Sequence, residues 1–143
     1  MTLLTASLIG LSSTDAGAAT PTNHCGSSYA FRQSWSITDS WSAGQLTTGF
    51  IDVYYNSSNG YNCLTVRANS NVTGVNHLIA GIRKSGASSY TIDGLNSNYT
   101  QYAGPVYAYA PGSCIDIYGE LSYKAVSGYA GHGVSVYENV HCG

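Results

Sequence analysis

Residues 50–68 read FIDVYYNSSNGYNCLTVRA, and this stretch indicates a β-hairpin. Positions 50–55 and 61–68 are rich in β-branched and aromatic side chains, which favour extended strands. The residues between them, Asn56 to Gly60, are typical turn formers, and Gly60 can adopt a positive φ. We therefore predict two antiparallel strands joined by this turn.

Similar runs recur on both sides of the hairpin. From Tyr29 to Ile37, large side chains alternate with small or polar ones, so that Phe31, Trp35 and Ile37 are expected on one mostly apolar face. Five further strands are predicted at 75–83, 89–92, 106–110, 114–118 and 134–138. About eight short strands, with turns roughly every eight to twelve residues, indicate an all-β fold. We expect an antiparallel β-sandwich or flattened barrel.

Three details of this prediction concern connections. Pro105 is placed at the start of its strand, because proline cannot donate to a β-ladder. The segment 114–118 is expected to pair back with 106–110 across the turn at 110–113. Positions 123–133, which are rich in glycine, are expected to form a loop, as is the stretch around Trp41.

Charge is scarce in this chain of 143 residues. Charged residues make up 8% of it, whereas about 25% is typical of globular proteins. The formal net charge is −2, and neither sign forms a run. Because no long-range positive field can arise, binding to nucleic acid is disfavoured.

The amino terminus resembles a secretory signal peptide. An apolar stretch at 2–11 is followed by Ala16-Gly17-Ala18-Ala19, small residues that suit signal peptidase, although the usual basic segment is missing. The stretch is shorter than the roughly 20 residues needed to cross a bilayer, and no later segment is long and apolar enough. We expect a signal peptide over 1–19, a single β domain over 20–143, secretion and no membrane span.

The cysteines are Cys25, Cys63, Cys114 and Cys142, an even number in a chain expected to be exported, which indicates disulfides. Zinc ligands usually occur in pairs two to four residues apart, whereas these cysteines are tens of residues apart, so neither a metal nor another cofactor is expected. Three pairings are open. We favour Cys25 with Cys63 and Cys114 with Cys142, because each bridge then ties a terminal segment to an interior strand.

Four short motifs resemble those of the spore-associated protein A family of exported actinobacterial proteins. They are YYNSSNGYNC at 54–63, YAGPV at 102–106, GSC at 112–114 and the terminal HCG at 141–143. The resemblance implies a small secreted protein recovered with spores. It brings no set of catalytic residues with it.

Catalytic groups are not evident from the residues either. Asp116 and Glu120 could serve as paired carboxylates, but the sequence does not show whether they converge on one bond. The histidines His24, His77, His132 and His141 could act as bases, yet no serine lies in a Gly-x-Ser-x-Gly motif. We expect a protein that is not an enzyme.

Aromatic residues are the most unusual feature, with 13 tyrosines and 2 tryptophans. These are too many for a core of this size, so some rings are expected at the surface. The candidate binding surface comprises Trp35, Trp41, Tyr102, Tyr107 and Tyr109. Exposed rings could stack on sugars or fit a partner protein, or simply cover strands that carry few charges. Edge strands with few lysines also allow self-association.

These features lead to a ranked expectation of function. The first is a secreted structural protein of the spore or cell surface, with a cell-wall or spore-surface component as its partner. The alternative is an extracellular module that recognises polysaccharide or a protein through exposed Tyr and Trp. A small secreted hydrolase or a protease inhibitor ranks below both.

Overall fold

The computed structural model of the protein describes residues 20–40, 46–124 and 130–143. Within these ranges the chain forms eight β-strands: β1 Ala30–Thr38, β2 Thr47–Asn56, β3 Tyr61–Ala68, β4 Thr73–Lys84, β5 Thr91–Asp93, β6 Tyr102–Tyr109, β7 Ile115–Lys124 and β8 Ala130–Val140. None of the described residues forms a helix that could span a membrane. The expected signal peptide and Trp41 lie outside the described ranges.

The strands form two antiparallel sheets of four strands each, which confirms the predicted fold class. The first sheet has the order β1-β2-β3-β6, and the second has the order β5-β4-β7-β8. Their inner faces enclose one core of fully buried aliphatic side chains, which includes Ile37, Ile51, Leu64, Leu78, Ile82, Ile117 and Leu121. The side chains of the outer faces therefore face solvent or the chain segments that lie across them.

The predicted hairpin is confirmed. Strands β2 and β3 pair in continuous register from Gly49 opposite Ala68 to Asn56 opposite Tyr61. The Asn56 side chain accepts a hydrogen bond of 2.9 Å from the backbone N–H of Ser58, and Gly60 has a φ of 77°. The turn thus has the local hydrogen bonding that Asn and Gly supply.

The predicted pairing of 114–118 with 106–110 is wrong. Strand β7 pairs with β4 and β8 in the second sheet, whereas β6 pairs with β3 in the first. The turn between them carries the chain from one sheet to the other. Both segments have a buried inner face, and the pattern of apolar residues alone does not reveal which sheet each one joins.

The predicted loop at 123–133 is also wrong at its ends, because β7 continues to Lys124 and β8 begins at Ala130. Gly131 and Gly133 belong to β8, and neighbouring atoms leave no space for a side chain at these two positions. A Cβ atom on Gly131 would lie 2.3 Å from the ring of Tyr123, and one on Gly133 would lie 2.3 Å from Oγ1 of Thr48. These glycines permit close packing within a strand, although a glycine-rich sequence is equally typical of a loop.

Strand β1 departs from strict alternation. The pairing with β2 shifts between Phe31 and Gln33, so that Arg32 is an extra residue in a bulge. The bulge moves Phe31 to the outer face, where it is 42% exposed, while Trp35 and Ile37 keep facing the core. The expectation that all three share one face is therefore wrong for Phe31.

Pro105 lies within β6 rather than at its start. Strand β6 is an edge strand, and Pro105 lies at its register shift between Ala103 and Val106, two settings in which a strand tolerates proline. The longer edge strands β1, β6 and β8 each contain a register shift, and β5 has only 3 residues. Bulges and short edges limit edge pairing even where lysines are few.

Both predicted disulfides are confirmed. Cys25 pairs with Cys63, and Cys114 pairs with Cys142. The first bridge fastens residues 20–29, which we call the strap, to the outer face of the first sheet. The second fastens the chain end to the residue before β7.

Candidate functional site

The strap lies across the outer face of the first sheet and is held there by more than its disulfide. The Tyr54 hydroxyl donates a hydrogen bond of 3.2 Å to the carbonyl oxygen of Thr22. The strap also has internal order, because the Asn23 side chain accepts from the N–H of Cys25 at 2.9 Å and donates to the carbonyl oxygen of Gly26 at 3.0 Å. The strap is therefore a defined wall on this face.

A small apolar cluster lies beneath the strap. It consists of Cys25, Cys63 and Tyr54, with Tyr29 packed against them. Burial, together with the nearby carboxylate of Asp52, raises the pKa of Tyr54, although the charge of Arg67 acts in the opposite direction. The phenol therefore stays protonated and continues to donate to the strap.

The register of β6 turns Tyr102 toward the same outer face. Leu64 lies opposite Val106, and Val66 lies opposite Ala103, so β6 has one residue more than β3 between these pairs. Side chains five residues apart in a regular strand point to opposite faces. The extra residue in β6 reverses this, so Tyr102 and Tyr107 both lie on the outer face. Gly104 has a φ of 90°, and a Cβ there would lie 2.7 Å from the carbonyl oxygen of Leu64. The bulge therefore requires glycine at this position.

Tyr102 stacks on a ring of the strap. Its ring and that of His24 are nearly parallel, with centroids 3.7 Å apart and an angle of 9° between the planes. Tyr102 is still 37% exposed. The stack fixes the position of an aromatic ring that remains open to solvent on part of its surface.

An ion pair lies beside this stack. The carboxylate of Asp52 accepts hydrogen bonds from Nε of Arg67 at 2.7 Å, from Nη2 of Arg67 at 3.3 Å and from the Ser34 hydroxyl at 2.5 Å. The Asp52 side chain is 1% exposed, and that of Arg67 is 25% exposed. The Arg67 guanidinium also packs on Phe50, 4.5 Å from the ring centroid. The buried carboxylate thus accepts three hydrogen bonds, while part of the Arg67 side chain faces solvent.

These groups enclose a cleft of about 370 Å³, which we call the strap cleft. Its lining includes Thr22 and His24 from the strap, Asp52 and Arg67 from the hairpin, and Gln101 and Tyr102 at the start of β6. A second cleft of about 350 Å³, the side cleft, shares Gln101 and Tyr102 and extends to Asn98. The two clefts meet at Tyr102.

The predicted aromatic surface is only partly assembled. Tyr102, Tyr107 and Tyr109 share the outer face of β6, but seven residues of strand separate the first from the last, roughly 20 Å. Tyr107 donates to the strap, and Tyr109 packs on Tyr61 with ring centroids 5.2 Å apart. Trp35 lies on the opposite, inner face. Its ring contacts that of Tyr137, 4.9 Å between centroids.

The strap cleft also contains residues that the sequence analysis did not select. The sequence indicates His24 only as a candidate base, and it does not mark Asp52 or Arg67 as binding groups. The hairpin register contained a usable signal, because it places Phe50 opposite Arg67 and so puts Asp52 diagonally beside the arginine on the same face. No comparable local signal marks the contact between His24 and Tyr102.

Asp116 and Glu120 do not form a converging pair. Both lie on the outer face of β7, four residues apart, which corresponds to about 13 Å along a strand. Paired glycosidase carboxylates are roughly 5 to 10 Å apart. Asp116 bonds to Arg83 at 2.8 Å and to Ser85 at 2.6 Å, whereas Glu120 bonds to His132 at 2.8 Å.

The surroundings of these carboxylates shift their pKa values. Burial opposes ionisation of Asp116, but the hydrogen bonds from Ser85, the N–H of Asn139 and Arg83 outweigh it and lower the pKa. Burial likewise opposes ionisation of Glu120, and hydrogen bonds from Tyr118 and His132 lower its pKa. Both groups are therefore anions that link neighbouring strands.

The remaining histidines have separate surroundings. Nδ1 of His77 lies 2.8 Å from the carbonyl oxygen of Ser97. His141 packs on Tyr55, with ring centroids 5.6 Å apart, and burial followed by the charge of Arg32 lowers its pKa. Among the described residues, no group of three His, Cys, Asp or Glu side chains could hold a metal ion.

Comparison with known proteins gives one informative match. Over 96 residues the chain is 36% identical to Spore-associated protein A of Streptomyces coelicolor, and the match covers 64% of this chain and 53% of the relative. The chain thus spans about half the length of that relative. No family model matches the chain, and no solved structure matches it. The match supports the relationship with the spore-associated protein A family that the sequence motifs indicate.

Proposed function

We propose that this chain is an exported, non-catalytic structural protein of the spore or cell surface. The observation that carries the proposal is the relationship with Spore-associated protein A. Two disulfides, which fasten the strap and the segment around Cys142, are consistent with it, because such bridges persist in oxidising compartments and are rare in the cytosol.

The polar groups of the described residues support a structural role. The carboxylate of Asp52 joins β2 to β3 through Arg67, and that of Asp116 joins β7 to β4 through Arg83. Glu120 joins β7 to β8 through His132. Each of these ionisable groups stabilises a contact between strands in the same sheet.

Fractionation of sporulating cultures tests this proposal. An antibody against the folded protein would measure its amount in cytosol, in medium and on washed spores and cells, with a cytosolic enzyme as a marker of lysis. We expect the protein on the washed surfaces and its cysteines oxidised. Protein confined to the cytosol, or found only free in the medium, would contradict the proposal.

A second candidate function is an extracellular binding module that acts through the outer face of the first sheet. The specific observation in its favour is the strap cleft. There the ring of Tyr102, stacked on His24, and the side chain of Arg67, paired with Asp52, are both partly exposed to solvent. Clefts lined by apolar surface with a few placed polar groups are typical of ligand sites. This function is compatible with the first, because a protein of the spore or cell surface needs a surface component to which it binds.

A further inference from the structure

We propose that the strap cleft and the side cleft form one binding site for a neutral, hydroxyl-rich glycan chain. The proposal rests on the binding function proposed above and assigns that function a site and a class of ligand. Tyr102 is the central residue, because it lines both clefts.

The aromatic platform is the first argument. The C–H face of a sugar ring is apolar and packs on flat aromatic surfaces, while the sugar hydroxyls remain free to bond elsewhere. His24 covers one face of Tyr102 at 3.7 Å and limits its rotation. A ring fixed before binding loses little conformational entropy when the ligand arrives.

The placed polar groups are the second argument. A guanidinium has five N–H donors in one plane, and Asp52 engages Nε and Nη2 of Arg67 while Phe50 supports the plane. Arg67 lines the strap cleft, and Asp52 engages only two of its five N–H donors, so that donor capacity remains for a ligand. Gln101 and Thr22 add groups that both donate and accept, as vicinal hydroxyls require.

Charge favours a neutral ligand. Asp52 and Arg67 neutralise each other at 2.7 Å, and the lining of the side cleft is uncharged. The site therefore lacks the excess of positive charge that binds phosphate backbones. Amide and hydroxyl side chains such as Asn98 and Thr100 match hydroxyl or acetamido groups instead.

Size is consistent with more than one sugar unit. The clefts measure about 370 and 350 Å³, each within the range of roughly 300 to 1,000 Å³ for small-molecule sites. Because they meet at Tyr102, an extended chain can lie across the ring with neighbouring units in the two clefts.

Calorimetric titration of the disulfide-bonded protein tests the proposal. Two probes distinguish the sources of a hydroxyl-rich chain: cellohexaose carries hydroxyls alone, and N-acetylchitohexaose adds acetamido groups. We expect saturable binding of at least one probe. Tyr102→Ala should weaken it about tenfold or more, since a stacked ring contributes about that factor.

Tyr109→Ala is the matched control. Tyr109 is also an exposed tyrosine on the outer face of β6, but it packs on Tyr61 outside both clefts. We expect it to leave binding unchanged. Unfolding curves of both variants, measured with oxidised cysteines, separate loss of the site from loss of the fold.

Two results would overturn the inference. One is the absence of binding of both probes at millimolar concentration by a wild-type protein shown to be folded. The other is equal weakening by Tyr102→Ala and Tyr109→Ala, which would place the contact elsewhere. A protein found on spores that binds neither probe contradicts the glycan site alone, and the surface role would then depend on another partner, such as a protein.

Discussion

The phenol of Tyr107 donates a hydrogen bond of 3.3 Å to the carbonyl oxygen of Cys25. Cys25 is in turn bonded to Cys63, which lies opposite Tyr107 in the pairing of β3 with β6. One residue of the strap is therefore held covalently by one strand and by a hydrogen bond from the next. Thr22 and His24 of the strap line the strap cleft. The bridge between Cys25 and Cys63 should therefore affect both the stability of the protein and the geometry of the cleft.

Removing this bridge should destabilise the protein and open the cleft. The cysteines of the bridge are 38 residues apart, so the combined change Cys25→Ser and Cys63→Ser should lower the free energy of unfolding by about 4 kcal/mol in the chain-entropy model. Hydrogen exchange should show faster exchange of strap amides. Chemical denaturation measures the loss of stability.

The other bridge provides the comparison. Cys114 and Cys142 are 28 residues apart, so replacing both by serine should cost about 3.5 kcal/mol. The strap amides should then keep their protection at low denaturant. Equal loss of strap protection in both variants would show that the first bridge has no local role at the cleft.

Loss of the Asp52 carboxylate should be costly. Asp52→Ala removes three hydrogen bonds from a side chain that is 1% exposed and leaves Arg67 without its partner. Because Asp52 is buried but Arg67 is partly exposed to water, the cost should lie at the lower end of the range for breaking a buried pair, about 3 kcal/mol. Urea denaturation at neutral pH measures this loss of unfolding free energy. In the control Glu138→Ala, the carboxylate is 62% exposed and 3.6 Å from Arg83, so the change should stay within about 0.5 kcal/mol.

Stability should fall in acid, in part because of Asp116. Its pKa is lowered in the folded protein from a reference value of 3.8, because hydrogen bonds from Ser85, Asn139 and Arg83 outweigh the effect of burial. A lowered pKa means that the unfolded chain binds the proton more tightly, so this stabilisation is complete above the unfolded pKa and is lost as pH falls below it. In Asp116→Asn, the decrease in unfolding free energy below about pH 4 should be shallower. Identical pH profiles of the two proteins would contradict this assignment.

The contact between the sheets at Gly119 should not tolerate a methyl group. A Cβ there would lie 2.6 Å from Cγ1 of Ile51 and 2.8 Å from Cδ1 of Ile37. Gly119→Ala should therefore destabilise the protein by about 1 to 3 kcal/mol through overpacking. Thermal and urea unfolding measure the change. A variant as stable as the wild type would mean that the sheets can separate at this point without cost.

The sequence was a good guide to features that depend on local pattern. The hairpin follows from apolar alternation around a turn of Asn and Gly. Its turn and β3 are as predicted, whereas β2 begins three residues earlier than predicted, at Thr47, and extends one residue further, to Asn56. The pairing of Cys25 with Cys63 and of Cys114 with Cys142 agrees with the prediction that each bridge ties an outer segment of the chain to an interior one.

Features that depend on bulges or on long-range packing were not predictable. One extra residue at Arg32 reversed the direction of Phe31, and the bulge at Gly104 placed Tyr102 on the face of Tyr107. The strap cleft combines residues from the strap, the hairpin and the start of β6, which meet only in the folded protein. The residue pattern within a single segment does not predict contacts between segments that are distant in the sequence.

The most direct test of the surface role is rebinding. Purified, disulfide-bonded protein would be added to washed spores and cells of a strain that lacks the gene, and the bound amount would be measured against concentration. We predict saturable binding above that of an unrelated secreted protein of similar charge. Bound protein that never exceeds this background on either surface would contradict the account.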